Sequence, residues 1–250
     1  MFLTNLLNAG HDVYCELIYF FNATIFCCNE VTFITQSVLI SIFVIACFKL
    51  GKSALVALMA VCWILGNFFA LQEATLFGFE AVTSDPFAIG ATLSMTFLSE
   101  YYGEKSAQKA LSIGVVMALF FVLMAIMQIS YMPNMFDTTH HHFSALLGRM
   151  TRVIFASFIV STSSQLLNLF LFKNFTRILG HKFFSISTFF AVAISQLFDT
   201  AFFTLLALSG NVHSIMHIII FSTLIKWISL AISIPFIQIF RSRKASHSEQ

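Results

Sequence analysis

Charge is what this chain has least of. Lys, Arg, Asp and Glu make up 10% of its 250 residues, where a soluble domain carries about 25%. The shortage excludes a water-facing globular surface. Hydrophobic residues at 58% and a mean hydropathy of +0.89 show what takes its place. There are three prolines and ten glycines, with no Pro/Ser/Gly-rich linker to tether a second domain and no internal repeat. The first thirty residues hold no Lys or Arg, so the basic start of a signal peptide is missing. No Gly-rich phosphate loop ends in a lysine, so the chain does not itself hydrolyse ATP. Gly-x-Ser-x-Gly, His-Glu-x-x-His and Cys-x-x-Cys are equally absent. The five cysteines have no metal-ligand spacing, and His140, His141 and His142 read as a solvated loop. No catalytic residue, metal or cofactor is expected. The net charge of +2 carries no nucleic-acid signal, because topology accounts for the basic residues.

What remains is apolar sequence cut into lengths of about 20 residues, the span of a transmembrane helix. Seven such stretches follow: 31–48, 54–71, 87–99, 111–129, 151–172, 185–208 and 217–240. The fold class expected is all-α, a polytopic membrane helix bundle of about six core helices plus an extra N-terminal one. Residues 1–30 read as an amphipathic or interfacial segment, 31–240 as the membrane domain and 241–250 as a basic tail. Glu73, Glu80 and Asp85 fall in the loop after the second span.

The cations sort by end. Ten of the thirteen, at 49, 52, 105, 109, 173, 177, 182, 241, 243 and 244, lie at alternate span ends. By the positive-inside rule those ends are cytoplasmic, which puts the N-terminus outside and the C-terminus inside. The other three are Arg149, Arg152 and Lys226. Arg152 lies just inside the fifth span, Lys226 deep in the seventh, and Asp199 deep in the sixth. An ionisable group at membrane depth costs about 2.5–3.5 kcal/mol on insertion scales and therefore turns toward a polar cavity or a partner. Asp199 lies nine residues from Leu208, and Lys226 nine residues from His217. At 1.5 Å per residue both are roughly 13–14 Å from the same end of two consecutive spans. The spacing therefore predicts that they pair.

Polar stripes support a cavity. Ser222, Lys226, Ser229 and Ser233 recur on one face of the seventh span. Ser157, Ser161, Gln165 and Asn168 do the same on the fifth, and Thr188, Ser195, Gln196 and Asp199 on the sixth. Serine and threonine stripes are also ordinary packing seams in membrane bundles. The amides and the two charges fit a site better. The fourth span has no stripe and is expected to face lipid.

The stretch from Thr92 to Gly114 reads as a helical hairpin. Glu100 and Tyr102 end one helix, Gly103 turns the chain, and Lys105 and Lys109 open the next. Glu100, Tyr102, Gly103 and Ala107 resemble the turn motif of the queuosine precursor transporter family, a vitamin-uptake-transporter-like group of integral membrane proteins. The resemblance returns at Asn67 with Phe77-Gly78; at Arg152, Ser157-Phe158, Gln165 and Asn168; at Gln196, Asp199 and Thr200; and at Lys226 and Pro235. It covers about residues 49–235. Three positions depart from the pattern: Thr96 replaces the motif's first acid, Glu73 stands where one branch has lysine, and Asn168 stands for an acid.

The resemblance implies import of a 7-deazaguanine base across the cytoplasmic membrane of a bacterium, for salvage into tRNA modification. The base is the cyano or aminomethyl precursor of queuosine, or queuine. Asn67, Arg152, Gln165, Asn168, Gln196, Asp199 and Lys226 are the candidate binding residues, and Glu100, Tyr102 and Gly103 a gating or structural motif. The chemistry suits such a base. A carboxylate accepts the adjacent N–H and amino groups of a guanine edge, and amides pair with its carbonyl and ring nitrogens. Expected partners are the base and membrane lipid, with a homo-oligomer left open and nucleic acid not expected. Two other readings stay open: the binding subunit of an energy-coupling-factor-type vitamin transporter, served by a separate ATPase, and an intramembrane enzyme.

Overall fold

A computed structural model describes residues 28–70, 72–180, 183–207 and 215–247. Seven helices run through them: α1 (Asn29–Leu50), α2 (Lys52–Phe68), α3 (Asp85–Tyr102), α4 (Glu104–Ile129), α5 (His140–Leu179), α6 (Phe184–Ala207) and α7 (Ile215–His247). Of these, α1, α4 and α6 are long and apolar enough to cross a membrane, and α2 and the 219–235 part of α7 are shorter apolar stretches. The bundle is thus a membrane-type helix bundle. The interfacial segment expected over 1–30 lies, up to residue 27, outside the described residues. The basic tail expected over 241–250 is helical as far as His247, a continuation of α7.

Two expectations need correcting. The loop between the second and third spans is not irregular. It folds into an antiparallel hairpin of β1 (Glu73–Leu76) and β2 (Phe79–Val82), paired Glu73 to Val82 through Leu76 to Phe79. Its two turn residues, Phe77 and Gly78, both have positive φ, 54° and 83°, which suits a two-residue hairpin. Glu30 Oε1 accepts a hydrogen bond from the Phe77 backbone N–H at 2.9 Å, and Asn29 Nδ2 donates to the Thr75 carbonyl at 3.1 Å. The hairpin is therefore fastened to the start of α1. Likewise, Asp85 is not in a loop. It opens α3, with a proline in the first two helical positions, where proline lacks no bond that the helix needs.

The helix expected to be short, α3, is the axis of the molecule. It packs against each of the other six helices, and every residue from Ile89 to Leu98 is buried. A helix buried on all faces sits inside protein, not against lipid. By contrast α4 exposes Val116, Leu119, Phe120, Leu123 and Met127, the apolar outer face expected of the fourth span. The α3–α4 turn is the hairpin read from the sequence. Gly103 has φ of 84° and its N–H bonds the Ser99 carbonyl at 3.1 Å, a conformation glycine adopts without a Cβ clash. The turn is tied to its neighbours by Lys52 donating to Ser106 at 2.8 Å and by a 2.8 Å Lys173–Glu104 ion pair.

On the polar stripe of α7 the serines divide. Ser229 and Ser233 meet Ser37 and Ser41 of α1 at 3.0 and 2.8 Å, which is a packing seam. The loop expected through the histidines is instead the first turn of α5, led in by Asp137. Its Oδ1 accepts the Thr139 and His140 N–H groups and the Thr139 hydroxyl. The Thr139 backbone bond, above all, holds that carboxyl below its usual range.

Close packing of α3 depends on Gly90. A Cβ there would lie 2.5 Å from Ile40 Cγ2 of α1 and 3.3 Å from Cys62 Sγ of α2. Overpacking of this kind costs about 1–3 kcal/mol. Gly90→Ala should lower the melting temperature of the protein in detergent, and adding Ile40→Ala should recover part of the loss. An unchanged melting temperature in the single variant would show that α1 and α3 do not approach this closely.

Candidate functional site

Between α2, α3, α5, α6 and α7 lies a partly enclosed cavity of about 100 Å³. Its wall is built by helical periodicity. Trp63 and Asn67 are one turn apart on α2, Gln196, Asp199 and Thr200 share a face of α6, and Ser222 and Lys226 share a face of α7. On α5, Ser157, Ser161 and Gln165 follow at four-residue steps. Beyond Val82 at the end of β2, Ser84 and Asp85 close the remaining side.

Lys226 sits between two carboxylates. Its Nζ donates to Asp199 Oδ2 at 3.0 Å and forms an ion pair with Asp85 Oδ1 at 3.7 Å. The three side chains are 8–15% exposed. The pairing of Asp199 with Lys226 is the one that equal depth on consecutive helices demands. The second carboxylate was not foreseen. Its Oδ2 is buried with no hydrogen-bond partner, and the cluster of one ammonium and two carboxyl groups has one more acid than base.

The amides are oriented by hydroxyls of α3. Thr92 donates its single hydroxyl proton to the Ala88 carbonyl at 2.9 Å. Its oxygen can then only accept, and it does so from Gln165 Nε2 at 2.9 Å and Gln196 Nε2 at 3.0 Å. Both glutamines are therefore fixed with their NH₂ groups toward α3, and both Oε1 atoms are buried without partners. One turn further along, Thr96 donates to the Thr92 carbonyl and accepts from Asn168 Nδ2 at 3.2 Å, leaving Asn168 Oδ1 unpartnered. Asn67 donates to the Trp63 carbonyl at 2.9 Å and accepts from the Ser157 hydroxyl. The cavity thus has a surplus of acceptor oxygens. The fixed donors are Lys226 and the unpartnered indole Nε1 of Trp63.

Asn67, Gln165, Gln196, Asp199 and Lys226 are brought together as cavity lining. Asn168 is fully buried beside Thr96, one turn from that lining. The side chain of Arg152 lies outside the described residues, although its backbone belongs to α5. Glu100 and Tyr102, both half-buried, and Gly103 lie at the opposite end of α3 from Asp85. Three contributors escaped the sequence reading: Trp63, Asp85 and Thr92. The run Ser84-Asp85-Pro86 is a helix-start signature and was the signal available for Asp85. No group of three His, Cys, Asp or Glu among the described residues is placed to hold a metal.

Small-molecule sites commonly lie between the helices of bundles, and comparison with known proteins narrows the class. Residues 87–240 match the family described as "Putative vitamin uptake transporter". The chain belongs to that family. The match begins two residues into α3, just past Asp85, and ends within α7, so it takes in most of four of the five helices that line the cavity. A relative in Bacillus subtilis (strain 168), the "Probable queuosine precursor transporter", is 26% identical over 191 residues, which is 74% of this chain and 82% of the relative. No solved structure matches. Membership makes this a membrane protein of transporter type.

The charge cluster makes a stability ranking. Removing one member of a buried pair costs about 3–5 kcal/mol when a charge is left uncompensated. Lys226→Met strands two carboxyl groups, whereas Asp199→Asn leaves Lys226 with Asp85. Lys226→Met should therefore give the lower melting temperature and folded yield in detergent. The reverse order would mean that Asp85 contributes no compensating charge.

Proposed function

We propose that this chain is a solitary importer of a 7-deazaguanine base, the cyano or aminomethyl precursor of queuosine or queuine, across a bacterial cytoplasmic membrane. One observation carries the reading: α3 turns two glutamine oxygens away from itself, beside a Lys-bridged carboxylate, in a chain of this family. Such a wall asks for a ligand rich in N–H groups. A guanine edge offers a ring N–H and an exocyclic amine side by side, which Asp199 accepts, leaving the remaining ring N–H and the second amine hydrogen for Gln165 and Gln196. Lys226 and Trp63 Nε1 meet the carbonyl and ring nitrogen, and the Trp63 face supplies a stacking surface. Asn168, behind Thr96, completes the described part of the site, and the family resemblance adds Arg152.

Seven spans fit the cation pattern, with the N-terminus outside and the β-hairpin on the outer face. Glu100, Tyr102 and Gly103 then form the cytoplasmic hairpin. Membrane-impermeant labelling of cysteines introduced at positions 137 and 244 tests this arrangement. Label at 137 alone is expected, and label at 244 alone would invert the topology.

The substrate is tested by uptake of the three radiolabelled bases in cells lacking their own carrier, then in proteoliposomes holding only this chain. Uptake in both is expected. Uptake in cells but not in proteoliposomes would favour a partner ATPase, and chemical change of the base during uptake would favour an enzyme. Asp199→Asn should abolish uptake at normal protein level, because the amide offers one acceptor oxygen in place of two. A base analogue without the exocyclic amine should compete about 10–100-fold less well, the effect of leaving one buried acceptor unsatisfied. Equal competition would remove Asp199 from the base-binding role. Full transport by Asp199→Leu, Lys226→Leu would reduce the pair to a structural clasp.

A further inference from the structure

We infer that Asp85 is the proton-coupling group of this carrier, taking up one proton from the outer side with each base imported; this rests on the carrier reading above. Three observations converge on it. First, the charges do not balance: Lys226 serves Asp199 at hydrogen-bond distance and Asp85 only at 3.7 Å. Second, Asp85 Oδ2 is buried and has no hydrogen-bond partner. An ionised oxygen in that state bears the full cost of desolvation, whereas a protonated one does not. Third, Asp85 lies where a group that exchanges with water belongs, in the first turn of α3 immediately after β2, at the hairpin end of the cavity.

The surroundings balance the group between its two forms. The start of α3 and the Lys226 ammonium favour the carboxylate. Burial and the neighbouring Asp199 favour the acid. Among the described residues that line the cavity with Asp85, the charged side chains are Lys226 from α7 and Asp199 from α6; α2 presents Cys62, Trp63, Gly66 and Asn67, and α5 presents Ser157, Ser161 and Gln165. In the empty cavity Lys226 compensates both carboxylates, and the cavity closes with Asp85 ionised. A bound base draws the Lys226 ammonium to its carbonyl, so closure around the base requires Asp85 to take up a proton from outside water. Opening inward rehydrates the group, and the proton leaves from the same carboxyl oxygen into the cytoplasm. One proton and one base cross together, and the binding residues return unprotonated. An Asp85 held permanently neutral should close with base but gain nothing from a proton gradient.

Proteoliposomes loaded with this chain separate coupling from carriage. Two assays are run with a radiolabelled base: exchange at equal base concentrations with no pH gradient, and net uptake with the outside one pH unit more acidic. At one proton per base that gradient supports about tenfold accumulation. The wild type should accumulate the base and lose the accumulation when a protonophore is added. In Asp85→Asn the exchange that remains should be independent of pH, and accumulation should fall to simple equilibration. Asp199→Asn should lose both. Wild-type accumulation indifferent to the protonophore, or Asp85→Asn that still accumulates, would overturn the inference while leaving the carrier intact. Loss of exchange in Asp85→Asn at normal protein level would assign Asp85 to base binding and overturn it as well. Failure of wild-type exchange would instead strike the carrier reading itself.

Discussion

An ammonium group enclosed among apolar helices must find counter-charge, and the position of Lys226 dictates much of this bundle. Its two carboxylate partners come from the first turn of α3 and the middle of α6. Helices that share one cation at 3.0 and 3.7 Å have little freedom to slide. Three elements far apart in sequence are thereby set at one depth, and the cavity is what the side chains around that depth leave over. The cost of burying three ionisable groups is high. It is reasonable in a molecule that needs a polar site within an otherwise apolar interior, and it makes the cluster a poor choice for a fold that required only stability.

The second constraint is the direction of hydroxyl protons on α3. Helical threonines whose hydroxyls bond the carbonyl four residues back have spent their one donor. Thr92 and Thr96 are both in this state, so each can only accept from the amides of α5 and α6. A central helix that is apolar by length but carries Thr92, Ser94 and Thr96 in its buried run thus acts as a template. It fixes which end of each amide faces the cavity, a decision that the amides alone leave open. Substituting valine at 92 would keep the volume and lose the direction.

Much of this was readable from residues. Equal depth on consecutive spans placed Asp199 against Lys226, the Gly103 turn followed from the polar interruption between two apolar runs, and the polar faces of α5 and α6 pointed to Gln165 and Gln196. What resisted had physical causes. Hydropathy measures transfer out of water and does not tell lipid from protein, so α3 looked like a short span when it is the buried axis. Serine stripes are chemically ambiguous, and Ser229 and Ser233 went to the α1 seam whereas Ser222, on the same stripe, went to the cavity. Asp85 was assigned to a loop because acids cluster in the loop before it, although the proline that follows it marks a helix start. The β-hairpin was hidden in an acidic, glycine-bearing connection too short for its alternation to stand out.

The cavity is too small in this structure for a planar base, and its two ends are covered unequally. Ligand pockets generally measure about 300–1,000 Å³, and this one holds about 100 Å³, so a planar base enters only if something moves. Toward the Gly103 end the bundle is sealed by stacked rings. Phe48, Phe97, Tyr101, Phe172 and Phe184 form a continuous set with centroids 4.6–6.4 Å apart, backed by the Lys173–Glu104 pair. Toward the other end the cover is a two-stranded hairpin, which on its own is marginally stable. It is held by two side-chain hydrogen bonds to the start of α1, by Phe79 stacking on Phe221 of α7 at 4.0 Å, and by a small buried cluster of Leu76 and Ala81 with Phe33 of α1 and Ile225 of α7. Opening the aromatic end disrupts many buried contacts on four helices at once. Lifting the hairpin breaks a few, and it carries with it the strand that leads directly into Asp85. The conformational cost of access is therefore lowest on the side where the acid excess lies.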